Sequence, residues 1–289
     1  MRVKLMTDAP IHNLALMKIS AYHKQRGDEV FIGQPMDKCD LSYASWLFHE
    51  YSFTSLSGGP GSMNIHDRLE NHGIATLMPD YSLFPQIDYS LGYTWEYCPR
   101  HCEFCVTSRQ HLKQHHNSIL DFLHPNFKKI RILNNNTFTD PHWRETFQEI
   151  WEARLTLIDE GGYDLRLLDN EKLEYLNKTH FVGLIHFAFD RAEDETEIRR
   201  GLEFLKGIKH PVQIYVLVGY PKYRPIDRTD IDRCEIIKSA GFDPHIMVYN
   251  REIKTKNPSM QLLNRYYRMV NRTFQWRKHG FQKAWELYR

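Results

Sequence analysis

The sequence predicts an α/β fold built on a parallel sheet. Three observations carry that prediction. Strand-like runs alternate with helix-like segments through most of the chain, the pattern of repeated βα units. The composition is globular, with 42% hydrophobic and 26% charged residues in 289. Turn-forming residues sit between the segments, with Gly27 and Gly241 each closing a helix-like stretch.

In chain order, residues 2–6 form a short β-rich run, and 13–26 have helical spacing that ends at Gly27. Residues 29–33 and 41–48 read as strands, and 57–61 as a glycine-rich turn. This is a small Rossmann-like α/β layer, followed by a linker at Pro79 and Pro85. Residues 91–97 give a strand, 129–133 a second, and 141–154 a helix with Asp140 as N-cap and Pro141 at its first position. A third strand region starts at 155–158 and extends through 164–168, with a helix over 170–177. Strands over 182–189, 212–219 and 245–249 alternate with helices over 193–207 and 229–240. Six strands separated by helices predict a parallel sheet, and spacing alone leaves an ordinary doubly wound sheet open.

This composition excludes a disordered, collagen-like or coiled-coil chain. No apolar run approaches the roughly 18 residues that span a bilayer, and the N-terminus shows no secretory pattern. The expectation is a soluble, cytoplasmic protein without a membrane partner. Net charge is +2, but residues 251–289 carry ten Lys/Arg and two Asp/Glu, a local +8 that leaves −6 for the rest. A basic tail on an acidic body points to an anionic partner or to a solvated helix face.

Five cysteines, an odd number, argue against a disulfide framework. Cys98, Cys102 and Cys105 fall within eight residues, with spacing C-x3-C-x2-C. Thiolates this close can converge on one small inorganic object, against the plainer reading of three unrelated thiols. A structural zinc needs a fourth ligand, for which His101, His111, His115 and His116 are at hand. A [4Fe-4S] cluster takes three thiolates and leaves one iron open to a small ligand. Cys39 and Cys234 lie too far off in sequence to build a second cluster with each other.

With Phe104 the motif reads C-x3-C-x-aromatic-C, and here the chain resembles the radical S-adenosylmethionine (SAM) superfamily. The approach adds to the likeness: Pro79-Asp80-Tyr81-Ser82-Leu83, then Asp88-Tyr89-Ser90-Leu91-Gly92-Tyr93-Thr94. So do residues 13–23 and Gly58-Gly59-Pro60-Gly61, which look like the N-terminal cobalamin-binding-type domain of one branch. The likeness covers the chain to about residue 250. It implies an abbreviated cobalamin-binding-like domain over 1–85, a partial (β/α)6 barrel over 86–250 and a basic, aromatic-rich helical extension over 251–289.

The resemblance implies roles by position. Cys98, Cys102 and Cys105 would ligate three irons, and SAM the fourth. Reductive cleavage of SAM would give a 5′-deoxyadenosyl radical that takes hydrogen from a second substrate, with flavodoxin or ferredoxin as reductant. Phe104 would pack near the adenine. Asn134, Asn135 and Asn136 stand where many members carry Gly-Gly-Glu for the SAM amino group, though asparagines also make turns. Strand alternation puts Asp164 and Arg166 on one face, with Arg166 for the SAM carboxylate or the two as a salt bridge. Asp190, at the end of the fourth strand, would meet a ribose hydroxyl or cap the next helix. Arg199 is a weaker carboxylate candidate. Gly219 would allow close approach at the adenine, with Val248 or Tyr249 closing the pocket.

The Asp-x-His-x-x-Gly element of cobalamin domains is missing, since His12 follows Asp8 at the wrong spacing. The expectation is a scaffold without cobalamin. In the tail, Arg265, Arg268, Arg272, Arg277, Lys278 and Lys283 interleave with Tyr266, Tyr267, Phe274, Trp276, Phe281 and Trp285. Such a mixture grips nucleic acid or buries its aromatics against the body. The alternatives to a radical SAM enzyme of unassigned substrate are an RNA-modifying, methylthiotransferase-like member and a zinc module that contacts nucleic acid. The first lacks the family's second-cluster cysteines and extra RNA-binding domain.

Overall fold

The computed structural model describes residues 1–9, 11–48, 56–62, 67–110, 112–158 and 162–289. They divide into two compact units. The first holds residues 1–101, 105–133 and 144–157, and the second 102–104, 134–143 and 158–289.

In the first unit, β1 (Arg2–Thr7), β2 (Glu29–Ile32), β3 (Leu41–Ser45) and β4 (Leu56–Gly58) form a parallel sheet in the order β2-β1-β3-β4. Helix α1 (Leu14–Gln25) starts where the Asn13 side chain accepts from the Leu16 N–H at 3.2 Å. It stops before Gly27, whose φ of +81° suits glycine. Val3 and Leu5 of β1 pack with Leu16, Ile19 and Ile74. β5 (Tyr89–Gly92) pairs in parallel with β6 (Lys129–Ile132), Leu91 opposite Arg131, and β7 (Thr156–Ile158) follows in the same sheet. The expected strand over 91–97 is therefore shorter and earlier, and the chain leaves the sheet at Gly92. Helix α2 (Trp143–Glu152) begins two residues past Pro141, because the Asp140 carboxylate accepts from the His142 N–H and makes a turn there.

In the second unit, α3 (Asn170–Lys178) is capped by Asp169, which accepts from the Lys172 N–H at 2.9 Å. β8 (Phe181–Val182) and β9 (Ile185–Ala188) precede α4 (Glu195–Leu205). β10 (Val212–Val218), α5 (Arg228–Ser239) and β11 (Pro244–Val248) complete a parallel sheet in the order β11-β10-β9. A reciprocal cap between Asp227 and Asp230 starts α5. The chain ends in α6 (Pro258–Arg268), a π-helical turn over Met269–Thr273, α7 (Trp276–His279) and α8 (Phe281–Tyr288).

The strand expected over 164–168 is not formed. Leu165–Leu167 is a 3-10 turn, because the Asp164 side chain takes the Arg166 N–H at 3.1 Å. A short polar side chain that bonds its own backbone competes with a strand ladder. Alternation along a strand therefore does not govern where Asp164 and Arg166 point.

Candidate functional site

The cysteine motif lies in the loop after β5. Among the described residues no cysteine is in a disulfide, and Cys98, Cys102 and Cys105 are all half-buried. His101, between the first two, has a φ of +46°, a left-handed turn that few non-glycine residues adopt. Cys105 precedes a 3-10 turn over Val106–Arg109, with its Sγ 3.0 Å from Thr107 Oγ1. In the second unit, Arg191 hydrogen-bonds the Cys102 side chain. A guanidinium beside a thiol favours the thiolate, the form that binds metal.

The histidines weighed as zinc ligands are otherwise placed. The His101 ring packs edge-on to Tyr97 at 6.4 Å, His115 is exposed, and His116 Nε2 is 3.9 Å from Glu145. His111 lies outside the described residues. Among the described residues, no three His, Cys, Asp or Glu side chains are gathered as ligands of a single metal ion.

An aromatic row is built in the second unit. Phe104 packs edge-on to Tyr220 at 5.8 Å, and Tyr220 edge-on to Tyr249 at 4.9 Å. The Tyr220 hydroxyl reaches Glu103 at 3.4 Å. The Tyr249 N–H donates to the Val218 carbonyl at 2.9 Å, which fixes it beyond the end of β11. Two expected site residues, Phe104 and Tyr249, thus meet through a third that sequence reasoning missed. The signal for Tyr220 was its place just past a buried strand, between Gly219 and Pro221.

The second unit also holds a polar chain. Asn136 Nδ2 donates to Asp164 at 3.1 Å, and Arg166 Nε and Nη2 donate to the same carboxylate at 2.7 and 3.0 Å. Arg166 Nη1 donates to Asp194 at 2.5 Å. Asn136, Asp164 and Arg166 are therefore brought together, and the salt-bridge reading of Asp164 and Arg166 describes their geometry. The guanidinium edge proposed for the SAM carboxylate is occupied by the chain's own acids. Asn134 is buried and donates to Thr137 at 3.3 Å, while Asn135 is half-buried.

Asp190 does not cap the following helix, which starts at Glu195 after Asp194. Its Oδ1 instead accepts the Leu217 N–H from β10 at 2.9 Å. Burial pushes its carboxyl up to about 6, against the opposing pull of that N–H and of Arg233. Arg233, 4% exposed, donates to the carbonyls of Phe189, Asp190 and Leu217 at 2.7 to 2.9 Å and to Asp230 at 2.6 Å. It pins the ends of β9 and β10 together.

At Gly219 (φ +79°) the close neighbour is Leu263, whose Cδ1 would lie 2.8 Å from an added Cβ. Val248 is buried. Arg199 is exposed and paired with Glu195 at 2.7 Å, as a surface charge would be. Cys39 is half-buried, and Cys234 is buried in α5 with its Sγ 3.5 Å from the Tyr266 hydroxyl.

The sheet β9-β10-β11 also carries residues that sequence reasoning passed over. Alternation buries Ile185, Phe187, Ile214, Val216 and Ile246 on one face. The other face presents His186, Gln213, Tyr215 and His245, all half-buried. His186 stacks on Tyr215 at 5.1 Å, and Gln213 Nε2 is 3.1 Å from His245 Nδ1. Burial, then the neighbouring His186, holds the His245 imidazole below its ordinary range, so it is neutral at pH 7. The signal was a polar residue at alternate places in three apolar strands.

In chemical type the three thiols suit an iron–sulfur cluster: all are outside any disulfide and within reach of solvent, and one lies beside a guanidinium. The row of Phe104, Tyr220 and Tyr249 offers flat apolar surface of the kind a purine stacks on.

Two solved structures of the radical S-adenosylmethionine methyltransferase TsrM from Kitasatospora setae are similar to this chain. One, with cobalamin and a [4Fe-4S] cluster bound, has a TM-score of 0.56 and 10% identity, covering 86% of this chain and 74% of that one. The other, with tryptophan substrate and the SAM analog aza-SAM, has a TM-score of 0.56 and 11% identity, covering 85% and 72%. No protein-family model matches the sequence, and no curated protein does. At this identity the likeness shows the fold, an α/β architecture with parallel sheets that is similar to a radical SAM enzyme at the coarse level.

Proposed function

We propose that the chain is a radical SAM enzyme with one [4Fe-4S] cluster, acting on a second substrate. The observation that carries this reading is the C-x3-C-x-Phe-C motif in a chain whose fold is similar to a radical SAM methyltransferase. Cys98, Cys102 and Cys105 would hold the cluster, which when bound supplies the electron that cleaves SAM to methionine and a 5′-deoxyadenosyl radical.

The chain's own residues do the rest. Arg191 hydrogen-bonds the Cys102 side chain and orients it. Phe104, Tyr220 and Tyr249 wall off water and give the adenine a stacking surface. Asp190, at the end of β9, accepts from a ribose hydroxyl with its remaining lone pairs while Leu217 holds its orientation. Asn135 and Asn136 face the SAM amino group, and Asp164 orients Asn136. Arg166 braces Asp164 and Asp194 and acts as a positioning residue. Residues 1–85 are read as the cobalamin-type scaffold, 86–250 as the partial barrel and 251–289 as its extension.

TsrM was solved with cobalamin, so the N-terminal unit of this chain needs its own argument. His12 follows β1 by five residues, and its Nδ1 is 2.8 Å from the Tyr89 hydroxyl. Burial, then Arg131, pushes its pKa down to about 4. That bond leaves Nε2 open, so His12 by itself does not speak against cobalt; the proposal of a scaffold that binds no cobalamin rests on the missing Asp-x-His-x-x-Gly element.

One experiment tests both statements. Protein reconstituted anaerobically with iron, sulfide and hydroxocobalamin, then desalted, should hold about four irons and four sulfides per chain and no cobalt. Cys102→Ala should lose the iron. One zinc per chain and no iron would overturn the radical SAM reading, and stoichiometric cobalt would overturn the cobalamin statement alone.

A further inference from the structure

We infer that the C-terminal helices dock a single-stranded nucleic acid, through a row of arginines on α6 and the exposed ring of Phe274. Burial sorts most of the segment. Its aromatics Tyr266, Trp276, Phe281 and Trp285 are buried, so they belong to the core and are not free to stack on a ligand. The cations Arg265, Arg268, Arg272, Lys278 and Lys283 are all exposed.

Arg265, Arg268 and Arg272 follow one another at intervals of three and four residues along α6 and the π-helical turn that continues it. That spacing puts them on one face, with Met260, Leu263, Tyr266, Met269 and Val270 buried on the other. Arg265 and Arg268 have no hydrogen bond or ion pair to any described side chain, and Arg272 has only the Tyr267 ring at 5.9 Å. The acids of this stretch are engaged elsewhere: Glu252 with Lys222 at 2.6 Å, and Glu286 with Gln282 at 2.7 Å. Three adjacent guanidiniums without carboxylates repel one another, and no contact within the described chain offsets that. A polyanion does. The row spans about 10 Å of helix axis, the length that about three successive phosphates of one strand occupy.

Phe274 is the second, independent observation. It ends the π-helical turn at a φ of +51°, a left-handed conformation that is costly for a bulky side chain, and the residue is 41% exposed. The Arg277 guanidinium lies 4.5 Å from the ring centroid. A strained, half-exposed aromatic at the end of a guanidinium row is placed to stack on a base while the row holds its phosphates. An anionic membrane would also meet the charges, but one lone ring offers little apolar area to insert, while its open face suffices for one base.

Strand binding needs neither cluster nor SAM, so its failure leaves the radical SAM reading untouched. The full chain, as purified, is titrated with a fluorescein-labelled 20-nucleotide RNA of mixed sequence across a range of salt. The expected result is binding that weakens with salt. Arg265→Gln/Arg268→Gln/Arg272→Gln should lower affinity at least about tenfold and make the log–log salt slope shallower by about 2, near 0.7 for each lost phosphate contact. Phe274→Ala should lower affinity about fivefold or more with the slope unchanged. Matching melting curves check that the variants fold, and Arg268→Gln alone serves if the triple variant does not. No RNA binding at low salt, or RNA binding that the arginine variants leave unchanged, overturns the inference. So does arginine-dependent binding to phosphatidylglycerol vesicles without RNA binding, which would assign the face to a membrane.

Discussion

Asp190 shows how one side chain carries both structural and functional weight. Its carboxyl holds the Leu217 N–H, yet burial raises its pKa to about 6 from an ordinary 3.8. A carboxyl whose folded value lies above its unfolded value favours folding in its protonated form. Its contribution is therefore best at low pH and is lost as pH rises through about 6. Asp190→Asn keeps the acceptor and removes the charge. It should be more stable than the wild type at pH 8 by roughly 3 kcal/mol in urea unfolding, a gap that narrows as pH falls below about 6 and closes only below the ordinary 3.8. An Asn variant that is less stable at pH 8 would mean that the charge is used within the fold. At this scale the sequence was legible where chemistry is local. The cysteine motif and Phe104 announce themselves by spacing. Tyr220 and Arg191 did not, because their partners, Phe104 and Cys102, lie far away along the chain and only folding joins them.

Elements were legible where apolar periodicity decides them. α1, β9 and β10 lie within the segments that pattern predicts, and α5 and β11 start one residue ahead of theirs. The reading failed where a side chain captures its own backbone. Asp164 turned an alternating Asp-Leu-Arg-Leu stretch into a 3-10 turn, and Asp140 delayed α2 by two residues. The turn in turn sets what α4 can be. Gly201 of α4 lies against Leu165, and a Cβ there would overlap the Leu165 carbonyl oxygen and sit 2.9 Å from its Cγ. Gly201→Ala should therefore destabilise the chain by about 1–3 kcal/mol, although alanine is the better helix former. The midpoint of urea unfolding reads this, and a variant as stable as the wild type would show that α4 is free to move off the turn.

At the scale of the whole molecule, the α/β class followed from strand–helix alternation, and the structure has parallel sheets in both units. Pattern could not supply the strand orders, which depend on contacts between distant segments. Among the described residues no helix is long and apolar enough to cross a membrane. The tail's aromatics and cations could not be sorted from sequence, because burial alone separates Trp276 and Phe281 from Arg265 and Arg268. The central claim is that three cysteines hold a cluster whose remaining iron takes SAM. The direct test is the electron paramagnetic resonance spectrum of the dithionite-reduced, reconstituted protein before and after SAM is added. The account predicts a reduced-cluster signal that SAM alters and that Cys102→Ala abolishes. A reduced four-iron cluster whose signal SAM leaves unchanged would contradict it.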